Sequence, residues 1–178
     1  MKRRIACLQH VPFEGPGAFA GLLQARGFEL DSHLVPRDGL PDGAFDALLV
    51  MGGPMSVNDP HDWIRREREF IREHVARGVP YLGICLGSQF LAAACGGSVA
   101  PGPAPEIGVM PVRRTPDAAA DPLFRRLPDT FDVVEWHGEG ISIPPDATVL
   151  ASSDRFPVQA FRVGRAAYGV LFHLELEA

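Results

Sequence analysis

The sequence predicts an α/β fold: a mixed, mainly parallel sheet with helices on both faces and an antiparallel C-terminal portion. Two patterns carry that expectation. In the first half, short apolar runs alternate with helical patterns, as parallel strands joined by crossover helices do. In the second half, β-like runs follow one another at short intervals with turn residues between them, as in antiparallel sheets.

The first strand is RIACLQ (4–9). It follows the basic pair Lys2 and Arg3, but its apolar run is too short for a secretory leader, because Gln9 and His10 interrupt it. AFAGLLQARG (18–27) reads as a helix, and FELDSHLV (28–35) and FDALLVM (45–51) as strands. In DPHDWIRREREFIREHVARG (59–78), Trp63, Ile64, Phe70, Ile71 and Val75 recur at helical spacing. Asp59 is the candidate cap there, Pro60 suits the first turn, and Gly78 ends the helix. VPYLGI (79–84) is the next strand, and LGSQFLAAACGG (86–97) a helix of small residues closed by glycines. APGPAPEIG (100–108) reads as a Pro/Gly-rich crossing. Five β-like runs follow: EIGVMPVRR (106–114), TFDVVEWH (130–137), ATVLAS (147–152), VQAFRV (158–163) and AAYGVLFH (166–173). There is no internal repeat and no divider between domains, so residues 1–178 are expected to form one domain.

With 178 residues, 46% of them apolar, the chain has material for one sizeable core. The net charge of -5, without a dense basic block, excludes nucleic acid and anionic membrane as expected partners and favours a small soluble ligand. No stretch approaches the length of a bilayer span, so the expectation is a cytosolic protein. Three cysteines do not make a disulfide framework; a special cysteine here is special for its reactivity.

In open α/β sheets ligands bind beyond the carboxyl ends of the strands, which directs attention to three junctions. FDALLVM runs into Gly52-Gly53-Pro54, YLGI into Cys85, and AAYGVLF into His173-Leu174-Glu175. Cys85, bracketed by Gly83 and Gly87 between strand and helix, matches a nucleophile elbow. The amide end of the helix starting at Leu86 favours thiolate over thiol. Cys7 and Cys95 read as structural. His173 and Glu175, two apart in an extended segment, leave the same face, so the carboxylate can orient the imidazole. Two glycines after a strand leave backbone amides unshielded, as an oxyanion hole requires, and the amide of Leu86 is the second donor. Gln89, four residues after Cys85, shares its face of the helix. His10, His33, His61 and His74 read as solvated or structural.

Four motifs in order, MGGP (51–54), GICLGSQ (83–89), EWHGEGISIP (135–144) and YGVLFHLE (168–175), resemble the class I, triad-type glutamine amidotransferases, and most of all the stand-alone, GMP synthetase-like ones. The resemblance runs from the first strand to the C-terminus. It implies a flavodoxin-like fold and hydrolysis of the L-glutamine side-chain amide through a γ-glutamyl thioester on Cys85. It further implies His173 and Glu175 as the other triad members and the amides of Gly53 and Leu86 as the oxyanion hole. Gly52, Gln89 and the backbone around His137 and Gly138 would hold the glutamine head group. The chemistry needs no metal or other cofactor, and the ammonia would pass to a separate synthase or acceptor subunit. The alternatives are a γ-glutamyl amide or peptide hydrolase and a non-catalytic regulatory subunit.

The pattern departs from the family at Leu174, where proline is usual, at Leu171, where glutamine is common, and at Glu139, where many members carry aspartate. Glu106 stands at an acidic position of the family and reads equally as part of a salt bridge. Glu175 lies three residues from Ala178, where chain ends fray unless tied down.

Overall fold

The computed structural model describes residues 3–176; Met1, Lys2, Glu177 and Ala178 lie outside that range. The elements run β1 (Arg3–Gln9), α1 (Ala18–Ala25), β2 (Phe28–Leu34), a single helical turn α2 (Val35–Asp38), β3 (Ala47–Val50), α3 (Asp62–Ala76), β4 (Tyr81–Ile84) and α4 (Leu86–Ala94). Then come β5 (Ser98–Arg114), β6 (Thr130–Ser142), β7 (Ala147–Ser152), β8 (Ala160–Val163) and β9 (Ala167–Val170). They form one sheet of order β2-β1-β3-β4-β9-β8-β7-β5-β6. Strands β2, β1, β3, β4 and β9 are mutually parallel, and the rest pair antiparallel, as the sequence predicts.

Strand period decides the two apolar layers. Ala6, Leu8, Leu48 and Val50 face one layer, with Ile64 and Ile71 of α3 and Phe90 and Leu91 of α4. Their alternates Ile5, Cys7, Leu49 and Met51 face the other, with Phe19 and Leu23 of α1 packed against it. Burial on both faces explains why these strands read as continuous apolar runs rather than alternating ones.

The last strand in sequence, β9, is inserted between β4 and β8. Val170 pairs with Ile84, so the carboxyl ends of β4 and β9 lie side by side. Cys85 and the segment after Val170 therefore emerge next to one another.

Two local expectations change. The crossing predicted at 100–108 lies inside the 17-residue strand β5, whose pairing with β6 slips between Pro101 and Glu106. Gly102 and the prolines interrupt the ladder there without ending the strand, since β6 resumes pairing at Glu106↔His137. Asp59 does not cap α3. The helix starts later, at Asp62, with His61 at the N-cap and no side-chain cap, while the Asp59 carboxylate accepts from the Ser56 amide at 3.0 Å. Gly78, at φ 79°, terminates α3 in the left-handed conformation that favours glycine.

Candidate active site

Cys85 has φ 50° and ψ -107°, and it is the only non-glycine residue at positive φ among the described residues. Two elements force that conformation. Its amide still belongs to the sheet, donating to Val170 O at 2.8 Å, while its carbonyl already accepts from Ser88 N at 3.0 Å and Gln89 N at 3.2 Å in the first turn of α4. The chain changes from strand to helix within one residue, and the side chain is thrown out at the turn.

The flanking glycines are packing contacts. A Cβ on Gly83 would collide with the Gly87 backbone, and one on Gly87 with the Val50 carbonyl of β3. The first turn of α4 lies directly on β3 and β4, with no room for a side chain between.

His173 is joined to β6 by a single bridge to Val134, its amide donating to Val134 O at 2.8 Å. Its Nδ1–H donates to Glu175 Oε1 at 2.6 Å, and both side chains are almost fully buried. Glu175 is held firmly: its carbonyl accepts from Ala18 N at 2.9 Å at the start of α1. Gly17, at φ 47°, must be glycine there because a Cβ would strike that carbonyl. The other imidazole nitrogen, Nε2, is buried without a conventional partner among the described residues, and the Cys85 sulfur is near enough to act on the ring. Burial disfavours the imidazolium, but Cys85 and Glu175 outweigh it and raise the His173 pKa to about 10. The ring is thus held protonated beside the sulfur through the neutral range.

That shift has a measurable consequence for stability. The imidazole carries a higher pKa folded, about 10, than its ordinary value of 6.5. Its stabilising contribution is therefore complete below about pH 6.5 and is lost as pH rises through about 10. Urea unfolding of the wild type should show stability falling across that window. In His173→Gln this part of the slope should be missing, and so should appear in full in the wild-type-minus-variant difference.

Gly52 and Gly53 follow β3. Gly53 is partly exposed beside Cys85, whereas Gly52 is buried. The Gly52 carbonyl points inward and accepts from His10 Nδ1 at 2.9 Å, so it is not free to meet a ligand. The amide of Leu86, in the first turn of α4, has no intrahelical acceptor.

Cys85 stands between two cavities. One, of about 560 Å³, is lined by Gly53, Ser56, Gln89, His137, Gly138 and Glu139 as well as Cys85. The other, of about 750 Å³, is lined by Phe13, Glu14, Val134, His173, Glu175 and Leu176. Trp136, 71% exposed, borders both, and its carbonyl lies 3.8 Å from the sulfur. A larger depression, about 890 Å³, lies around the Val163-Gly164-Arg165 turn and does not touch Cys85.

Of the residues predicted for the site, Cys85, His173, Glu175, Gly53, Gln89, His137 and Gly138 converge here. His137 contributes backbone only. Its ring turns inward, with Nε2 3.0 Å from Glu135 and 3.5 Å from Glu106. Glu106 in turn accepts from Ser153 Oγ at 2.9 Å and Gln159 Nε2 at 2.6 Å. Glu106, Glu135 and His137 are the one group with metal-ligand spacing among the described residues. They lie behind the His137–Gly138 backbone, where their hydrogen bonds pin β5 and β6 to the turn at Ser153. Cys7 is buried, and burial pushes its thiol up to about 12, away from reactivity.

Sequence reading missed Glu14, Trp136 and the pair His10–Glu67. Glu14 is half-buried beside Gly52; burial raises its pKa, His173 opposes that and Glu175 adds to it. Nothing in its local pattern marks it. Glu67 did leave a signal, since Ile64, Glu67 and Ile71 fall on one helical stripe and a carboxylate on an apolar stripe needs a partner.

The family model described as glutamine amidotransferase class-I matches residues 23–178. YfeJ, a glutamine amidotransferase-like protein of Salmonella typhimurium, is 33% identical over 180 residues, covering 97% of this chain and 75% of that protein. A glutamine-hydrolysing GMP synthase subunit of Ignicoccus hospitalis is 34% identical over 147 residues, covering 82% of this chain and 73% of that relative. The crystal structure of a glutamine amidotransferase from Thermotoga maritima superposes with a TM-score of 0.90 at 30% identity, over 99% of this chain and 77% of that one. No helix among the described residues is long and apolar enough to cross a membrane.

Proposed function

Because this chain belongs to the class-I glutamine amidotransferase family, we propose that it hydrolyses the side-chain amide of L-glutamine through a thioester on Cys85. The observation that carries the proposal is the cysteine held at positive φ, beside a histidine from the neighbouring strand end whose far nitrogen is fixed by a buried glutamate.

The Cys85 thiolate attacks the carboxamide carbon. The oxygen, now negative, takes hydrogen bonds from the amides of Gly53 and Leu86, neither of which has a backbone acceptor of its own among the described residues. The His173 imidazolium gives its proton to the amide nitrogen, the C–N bond breaks, and ammonia leaves. The imidazole, neutral now, removes a proton from water; the hydroxide attacks the thioester, the C–S bond breaks, and glutamate departs. Glu175 keeps Nδ1 as the donor, so Nε2 faces the reaction throughout. The 560 Å³ cavity, with Gln89 and the backbone of His137 and Gly138, is the place for the glutamine head group.

The ammonia acceptor is a separate synthase on this reading, supported by the relatives named as subunits of glutamine-hydrolysing GMP synthases. The test is a glutaminase assay of the wild type beside Cys85→Ser, with and without candidate synthases. Ammonia release by the wild type alone is the expected result, and equal release by both proteins would sink the mechanism.

The second cavity favours one other reading. Ammonia needs little space, yet about 750 Å³ lined by Phe13, Trp136 and Leu176 opens on the His173 side of the sulfur. A γ-glutamyl amide with an apolar amine would fill it. Amine release from γ-glutamyl anilide or alkylamide at a higher kcat/KM than ammonia from glutamine would establish that preference, and the reverse order would exclude it.

A further inference from the structure

Behind the Gly52-Gly53 turn lies a polar pair that the proposed mechanism does not use. His10, at the end of β1, and Glu67, in the middle of α3, have fully buried side chains, with His10 Nε2 3.0 Å from Glu67 Oε1. The imidazole is stacked between Trp63 and Phe90, with ring centroids 5.8 Å and 5.4 Å away. Its other nitrogen donates to the Gly52 carbonyl at 2.9 Å. An isolated ion pair so deep in a core is seldom favourable compared with apolar packing, and its placement against one backbone carbonyl asks what that contact achieves.

The peptide unit between Gly52 and Gly53 is trans and rigid, so the carbonyl of Gly52 and the amide of Gly53 point in opposite directions. Holding the carbonyl inward therefore turns the amide outward, to the side where Gly53 and Cys85 line the same cavities. With glycine on both sides, little else opposes rotation of that unit. The Gly53 amide has no backbone acceptor among the described residues, so no hydrogen bond of its own fixes it. We infer that Glu67 and His10 form a positioning relay that locks the Gly52–Gly53 peptide with its N–H facing the reacting oxygen. Glu67 keeps Nε2 engaged, which leaves Nδ1–H as the donor to Gly52. Burial disfavours the charged ring, but Glu67 and the Gly52 carbonyl reverse that, and the His10 pKa lies above its ordinary value. Both nitrogens then carry protons, as both partners require.

This inference rests on the reading of Gly53 as an oxyanion donor, and its test separates the two. Removing His10 alone would strand a buried carboxylate and could unfold the protein, so the comparison is between two double variants. His10→Phe with Glu67→Met fills the core and removes the donor. His10→Asn with Glu67→Met restores an N–H at the Nδ1 position. Active sites are counted by labelling Cys85 with a diazoketone glutamine analogue.

The first variant should lose about 100-fold in kcat per labelled site, the size of losing one oxyanion donor, with KM within about threefold. The second should recover at least about tenfold of that loss. A kcat per labelled site within about threefold of wild type in the first variant, or no recovery in the second, overturns the relay. Should the wild type label at Cys85 and yet release no ammonia, the glutamine reading fails by itself. The relay is then decided by the crystal structure of the first variant: a rotated 52–53 peptide sustains it, and an unmoved one overturns it.

Discussion

Cys85→Gly should release no measurable ammonia from glutamine and yet resist urea better than Cys85→Ala. Both substitutions remove the sulfur, and loss of the nucleophile should lower kcat by at least about four orders of magnitude. They differ in what they leave of the backbone. Cys85 sits at φ 50° and ψ -107°, a conformation that a residue with a Cβ adopts only at a cost of about 1–3 kcal/mol. Alanine keeps that cost and glycine removes it, against about 0.5–1 kcal/mol for the greater freedom of glycine in the unfolded chain. The glycine variant should therefore exceed the alanine variant by about 1 kcal/mol in unfolding free energy, read from urea midpoints at constant slope. An alanine variant as stable as the glycine one would mean that the elbow is relaxed, and the strain argument for Cys85 would fail. Because the strained residue is also the proposed nucleophile, the difference measures stability given up for reactivity at one position.

The sheet was legible because its strands are buried on both faces, and the α3 helix because Ile64 and Ile71 repeat on one stripe. The strand 98–114 was only half legible. Its prolines and glycines mark a crossing by local rules, and pairing with β6 over Ser98 to Pro101 and again from Glu106 overrides them. Cys85, Gly53 and the His173/Glu175 pair could be named one by one from the residues around them, but their assembly could not. It depends on β9 entering the sheet beside β4, a contact between distant segments that leaves no periodic trace in either. The resemblance of the four ordered motifs supplied that link instead. The His10–Glu67 pair lies between these cases. A glutamate between Ile64 and Ile71 was a visible anomaly, but its partner stands at the end of β1, far away in sequence, and a lone histidine at a strand end carries no signal.

Gly87→Ala should damage both stability and turnover. The added Cβ would meet the carbonyl of Val50, which is backbone in the middle of the parallel sheet and cannot rotate away. Helix α4 would have to lift from β3, and its buried side chains Leu86, Phe90 and Leu91 would lift with it. Forcing extra volume into a packed core costs about 1–3 kcal/mol even where side chains can yield, so about 3 kcal/mol or more is expected here. The same shift moves the start of α4, where Cys85 and the amide of Leu86 sit. An error of about 1 Å in such a constellation costs about 100-fold in rate. The measurement is urea unfolding together with glutamine turnover per labelled Cys85. Ala93→Gly on the same helix is the control: it lowers helix propensity by about 1 kcal/mol and adds no volume between α4 and the sheet. If Gly87→Ala were no more destabilising than that control, the close approach of α4 to β3 would not be what requires a glycine at this position.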